Sequence, residues 1–205
     1  MIIWFRRHWH VSFIGVLALG IFIISFTEKT ESQNTDKTYN IDSVHSSVIF
    51  RAKHMGVAYF YGRFNEFSGN ISLDDSDVSK SKVEFELKSA SVDTANAKRD
   101  QHLRSSDFFS VKQFPVITFE STNVSAKTEQ ENMLEVTGEL NLHGVKKSIT
   151  IDVEITGKKS IPQTGEVIGF HTIFDIKRSE YGINFAMDGV NDDIQIIISV
   201  EAAHK

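Results

Sequence analysis

From about residue 40 onward, apolar and polar positions alternate with a period of two, in run after run. Val48, Phe50 and Ala52 alternate with polar neighbours, as do Gly69, Ile71 and Leu73, and then Val83, Phe85 and Leu87. Further runs place Ile117 and Phe119, Leu134 to Leu142, Ile149 to Ile155, Ile168 to Ile176, and Ile194 to Val200 on single faces. Such alternation is the signature of a strand with one buried face, so the pattern predicts about eight strands. Polar turns join successive runs, and His143-Gly144 between Leu142 and Val145 is the sharpest hairpin signal. The prediction is therefore an all-β antiparallel meander. Eight such strands lose their free edges by closing into a barrel or by folding into a sandwich. An eight-stranded barrel is just wide enough to be filled by side chains or to hold one slender ligand. Twelve phenylalanines after residue 30 suit either interior, and periodicity does not separate the two.

One stretch breaks the pattern. Ser91 to Phe109 is polar and charged, with Lys98, Arg99, His102 and Arg104 beside Leu103, Phe108 and Phe109. A non-strand segment of this length between neighbouring strands usually has a function or its own helix. As a short helix it places Arg99 and His102 on one face and sets Asp100 four residues before Arg104 as a surface pair. Two readings stand side by side. The aromatics plug one end of a barrel while Arg99 and Asp100 tie the segment to strand ends, or the basic face holds an anionic or carbonyl head group.

The N-terminus differs in kind. Arg6 and Arg7 precede an apolar run from Val11 to Phe26, which makes residues 1–27 a signal peptide or an N-terminal membrane anchor spanning 11–26. Either way the arginines stay cytoplasmic and the remainder is exported. Residues 28–38 are a polar tether, and 39–205 have the length of one domain. Three of the 22 basic and one of the 27 acidic residues lie in the first thirty, so the remainder carries 19 basic against 26 acidic residues, net −7. That balance argues against nucleic acid as a partner, and against an anionic lipid surface as a general one. There is no cysteine, which excludes disulfides, thiolate catalysis and cysteine-based zinc sites. The domain histidines fall in no metal-binding spacing, and no phosphate loop or nucleophile motif is present. No catalytic residue, metal ligand or cofactor site is assigned.

The order of landmarks resembles the YceI-like proteins. Ile41-Asp42 with His45-Ser46, then Phe50 and His54, Gly62 to Phe64 and Phe67 to Gly69 are similar to that family's opening. Ser91 to Thr94, Arg99 to Leu103, Asp107 to Phe109, Phe114-Pro115, Gly138 to Leu140, Leu142 to Val145, Arg178 and Tyr181-Gly182 continue the likeness, which covers residues 39–205. Lys53 departs from it by putting a charge where an apolar strand position is expected.

The resemblance implies an eight-stranded antiparallel lipocalin-like barrel with a short helical insertion between strands 3 and 4. It also implies an exported bacterial protein of the periplasm or cell envelope, held at the inner membrane if the leader is retained. Such a protein binds, carries or stores a polyisoprenoid lipid, an isoprenoid quinone or prenyl phosphate, and is not an enzyme. The isoprenoid lipid is the expected partner and ligand, with no other cofactor; the oligomeric state stays open, a homodimer included. The apolar pore is expected to be lined by Phe50, Phe64, Phe85, Phe119, Leu140, Phe170 and Phe174. Arg99 and His102 are the first candidates for the head group, followed by His45, His54 and His143. Two alternatives remain: a partner-docking domain with a solid core, and an enzyme using Arg99 and His102 on a lipid-like substrate.

Overall fold

A computed structural model describes residues 36–204; the leader and most of the tether lie outside the described residues. Ten strands follow in order: β1 Asp36–His54, β2 Ala58–Phe64, β3 Phe67–Asp74, β4 Lys82–Lys88, β5 Val92–Asp93, β6 Val116–Ala126, β7 Met133–Leu142, β8 Val145–Ile161, β9 Gly165–Lys177 and β10 Asp193–His204. One short helix, α1 Ala97–Leu103, stands between β5 and β6. β1 begins inside the polar segment 28–38, three residues before the expected domain start.

Every pairing is antiparallel, and β10 pairs with β1 to close the sheet. The ten strands make eight staves. β2 and β3 run end to end against the two halves of β1, and β4 and β5 run end to end against β3 and β2. The molecule is thus an all-β, eight-stranded closed barrel with one short helix, and closure leaves no long edge for a stray strand to pair with. Between β7 and β8, His143 and Gly144 take φ of +54° and +76°, with Leu142 opposite Val145. Positive φ at both central residues matches the right-handed twist of the flanking strands, which is why this hairpin was readable.

β2 is the strand, one half of a stave, that alternation did not reveal. Its inward residues are Phe60, Gly62 and Phe64, but the outward Tyr59 and Tyr61 are aromatic too, and the period is lost in a continuous apolar stretch. Arg51 and Lys53 both lie on the outer face of β1 against the Tyr59 ring, so the charge at Lys53 is an ordinary outward position. Gly62 faces Phe50 across the β1–β2 ladder, and a Cβ there would stand 2.2 Å from the Phe50 ring. Only glycine lets that ring lie flat against the wall.

Among the described residues no helix is long and apolar enough to cross a membrane. The anchor expected at residues 11–26 lies outside them.

Candidate functional site

The two ends of the barrel are built differently. At the end formed by the starts of β1 and β9, Tyr39, Ile71, Leu73, Ile168, Phe170, Val200 and Ala202 form a buried cluster. Tyr39 is fully buried, and its hydroxyl donates to the Glu166 carboxylate. Lys37 and Lys158 reach the same carboxylate at 3.0 and 3.3 Å, and Lys158 also meets Asp75 at 3.2 Å. This latch joins β1, β8, β9 and the loop after β3. The Tyr39 hydrogen bond and the two lysines hold the Glu166 carboxyl down at about 2. Burial, with the Glu166 bond, pushes the Tyr39 hydroxyl up to about 12.

From this cluster, of which Ile71, Leu73, Phe170 and Val200 form part of the wall, a cavity of about 640 Å³ with an almost wholly apolar lining runs to the other end. Of the two interiors that periodicity left open, packed or lined, the structure has a lined one. Phe85, Phe119, Phe174, Ile194, Ile196 and Ile198 point inward yet are only partly buried, because part of each side chain borders the cavity. All seven residues expected to line a pore do line it: Phe50, Phe64, Phe85, Phe119, Leu140, Phe170 and Phe174. Phe60, the β10 isoleucines and Phe185 were not singled out from sequence, although the β10 alternation was a usable signal.

The mouth is assembled by α1, the β1–β2 turn and the 182–192 loop. Asn96 caps α1 by accepting from the Arg99 amide at 3.0 Å. The buried Asp100 accepts from the Thr94 amide and hydroxyl at 2.8 and 2.5 Å. It does not pair with Arg104, whose guanidinium instead donates to the Ala90 and Val92 carbonyls at 2.7 and 2.5 Å. The expected surface pair is thereby replaced by two ties from the helix to the β4–β5 stave. Backbone acceptors fixed in place outcompete an exposed pair worth only tenths of a kcal/mol.

Arg99 is tied to the start of its own segment and also borders the cavity. Its Nε and Nη2 donate to the Thr94 hydroxyl and carbonyl, each at 2.7 Å, and its guanidinium lies 4.9 Å from the Phe60 ring centre while bordering the cavity. His102 also borders the cavity. Its Nε2 shares a hydrogen bond with Asp107 at 2.9 Å, and its ring meets Phe108 and Phe185 edge-on at 5.0 and 5.2 Å. His54 also borders the cavity at the mouth.

The other two histidine candidates lie elsewhere. His45 sits on the outer surface in the β1 bulge, hydrogen-bonded to Asp42 at 3.0 Å, and that carboxylate raises its imidazole above the usual range. His143 bonds the Tyr181 carbonyl at 3.0 Å and packs on Phe114, 4.5 Å between ring centres, without reaching the cavity. His143 thus depends on partners far away in sequence, whereas Asp42 stands three residues from His45.

Arg178 is the residue that sequence reasoning did not assign. It is buried, and its guanidinium donates to four carbonyls: Asn191 at 3.1 Å, Ile183 at 3.0 Å, Phe185 at 2.7 Å and Val190 at 2.8 Å. Burial lowers its pKa, although Asp192 nearby opposes this. The bonds fix the loop that brings Phe185 over the mouth.

Comparison with known proteins accords with this architecture. A YceI-like domain model matches residues 39–202. A UPF0312 protein of Pseudomonas aeruginosa is 36% identical over 194 residues, covering 94% of this chain and 97% of the relative. The crystal structure of the Campylobacter jejuni YceI protein superposes with a TM-score of 0.67 at 34% identity, over 75% of this chain and 90% of that one. A polyisoprenoid-binding domain from Saccharophagus degradans shares the fold at a TM-score of 0.61 and 15% identity, over 82% and 98% of the two chains. Since the matched region runs through the whole barrel, the chain belongs to the YceI-like domain family.

Proposed function

We propose that this chain binds a polyisoprenoid lipid in the bacterial cell envelope, with the tail in the barrel and the head group at the mouth. The observation that carries the reading is the cavity: about 640 Å³ of apolar-lined space whose polar side chains include Arg99, His102 and His54 at one end. Burying an apolar tail yields roughly 25 cal/mol per Å², so the lining supplies affinity while the few polar groups orient the head. Arg99 is held by the Thr94 hydroxyl and carbonyl, which suits a positioned donor for a head group. The membership in the YceI-like family and the polyisoprenoid-binding neighbour support the choice of ligand class. The exported location rests on the leader, residues 1–27.

The test is an organic extract of the protein, expressed in a bacterial envelope and purified without detergent, read by mass spectrometry. A stoichiometric quinone or prenyl lipid is the expected result, and Leu140→Trp, which fills the lumen, is expected to abolish it while the barrel stays folded. Equal lipid in the parent and in Leu140→Trp would overturn the placement of the tail.

A further inference from the structure

The apolar surface of this barrel is not evenly spread. Among the described residues, Met55 and Val57 in the β1–β2 turn are 63% and 83% exposed, and Phe185 and Met187 in the neighbouring loop are 45% and 39% exposed. The two tips are stitched into one rim: the Met55 amide donates to the Gly189 carbonyl at 2.8 Å, the Asn191 amide to the Lys53 carbonyl at 3.1 Å, and His54 bridges Val190. Large side chains held out in water next to an apolar cavity mark a contact surface. Behind the tips comes a second layer. Tyr59 is 54% exposed and lies beneath the Arg51 guanidinium at 4.3 Å and the Lys53 ammonium at 5.5 Å, with Tyr61 beside it. From Arg51 to Arg63 the chain has three basic residues and no acidic one, in a domain that is acidic overall; the 182–192 loop adds Asp188 and Asp192, the latter bonded to Ser179.

We infer that this rim docks the mouth onto a phospholipid bilayer with anionic head groups, the tips entering the acyl boundary and the Tyr59 layer sitting at head-group depth. This deepens the proposed function and rests on it, since a tail bound in the lumen has to leave a bilayer through this mouth. Three features favour a bilayer over a protein partner. The apolar residues form projecting tips and not a flat face. They are backed by tyrosine and basic side chains whose long stems and polar ends suit a water–lipid boundary. The local charge opposes the net charge of the domain, so attraction to anionic lipid is confined to the one end where it is useful.

The chain has no cysteine, so a single probe site can be introduced in the full-length protein without background. Val57→Cys, carrying an environment-sensitive fluorophore, reports on the rim; Thr164→Cys in the β8–β9 turn reports on the opposite end. With vesicles of phosphatidylcholine and phosphatidylglycerol, the Val57 probe is expected to shift to shorter wavelength and be quenched by lipid-borne quencher, while the Thr164 probe stays in water. Adding Arg51→Glu and Lys53→Glu should weaken the rim signal on the order of tenfold, and pure phosphatidylcholine should do likewise. Equal behaviour of the two probes means that the leader alone holds the protein at the vesicle and overturns the inference. A Val57 shift that appears without vesicles and grows with protein concentration assigns the rim to a second copy and overturns it too. Lipid in the purified barrel with a water-exposed Val57 probe sinks the docking surface alone; a rim that inserts on an empty barrel sinks the ligand and spares the surface.

Discussion

The far end of the barrel and its mouth solve opposite problems with the same strands. At the far end, apolar side chains touch one another around Tyr39, and charges outside them form a closed network through Glu166, Lys37, Lys158 and Asp75. At the mouth, apolar side chains face empty space, and the charged groups bind backbone or a neighbouring ring: Arg99 to Thr94, Arg104 to Ala90 and Val92, Arg178 to four carbonyls. One end is therefore stabilised by contacts that are already made, and the other holds contacts in reserve for something else. The cost of substitution should divide along that line.

The largest effect is expected at the mouth's one fully committed cation. Arg178→Ala removes a buried charged donor from four carbonyls and should destabilise the fold by about 3–5 kcal/mol, read from denaturant midpoints. A loss below about 1 kcal/mol would mean that the loop is held by other contacts. Next comes truncation to alanine at the two ends. Ile168→Ala opens a hole in a packed cluster away from the cavity and should cost about 4 kcal/mol, whereas Phe119→Ala enlarges an existing cavity and should cost roughly half as much. Equal losses in denaturant melts would break the comparison, because they would mean that Phe119 is packed as tightly as Ile168.

Titration separates the ends further. Glu166 is held at about 2 in the folded state against an ordinary 4.5, so its stabilising effect is complete above about 4.5 and is lost as the pH falls toward 2. Tyr39, raised to about 12 from 10, acts in the other direction: its contribution is complete below about 10 and is lost as the pH rises toward 12. Unfolding midpoints measured across this range should show both flanks. Tyr39→Phe should remove the alkaline flank and shrink the acid one, and an unchanged profile would show that the latch is not coupled to folding. The smallest stability effect is expected for the half-exposed His102, where His102→Ala should cost under about 0.5 kcal/mol while accelerating lipid release. Calorimetry alongside a lipid-transfer assay would check both halves of that statement.

How far each end could be read from sequence follows from the range of the interactions involved. Strand alternation is local, so Phe50, Phe85, Phe119, Leu140, Phe170 and Phe174 were legible as one inward face before any fold was known. β2 was not, since Tyr59 and Tyr61 filled its outward positions with residues that read as core. The helix and its Arg99–His102 face were visible from spacing, but whether Arg104 turned to Asp100 or to the β4–β5 stave depended on which acceptors the barrel placed nearby. His45 and His143 illustrate the same limit. Their partners include Asp42 and Glu201 in one case and Tyr181 and Phe114 in the other, and only the closed barrel brings Glu201 or Tyr181 within reach. The emptiness of the lumen was beyond alternation altogether, because a side chain that points inward has the same sequence signature whether or not anything meets it.

The Arg178 guanidinium touches main-chain oxygens alone, at Ile183, Phe185, Val190 and Asn191. Its grip on the loop is therefore blind to side-chain identity. Where the loop sits and what it displays are set independently, so residues such as Phe185 and Met187 can be exchanged for others while the loop keeps its path. The arginine acts as a fixed mount for an interchangeable face, and variation in what the loop displays is cheapest there.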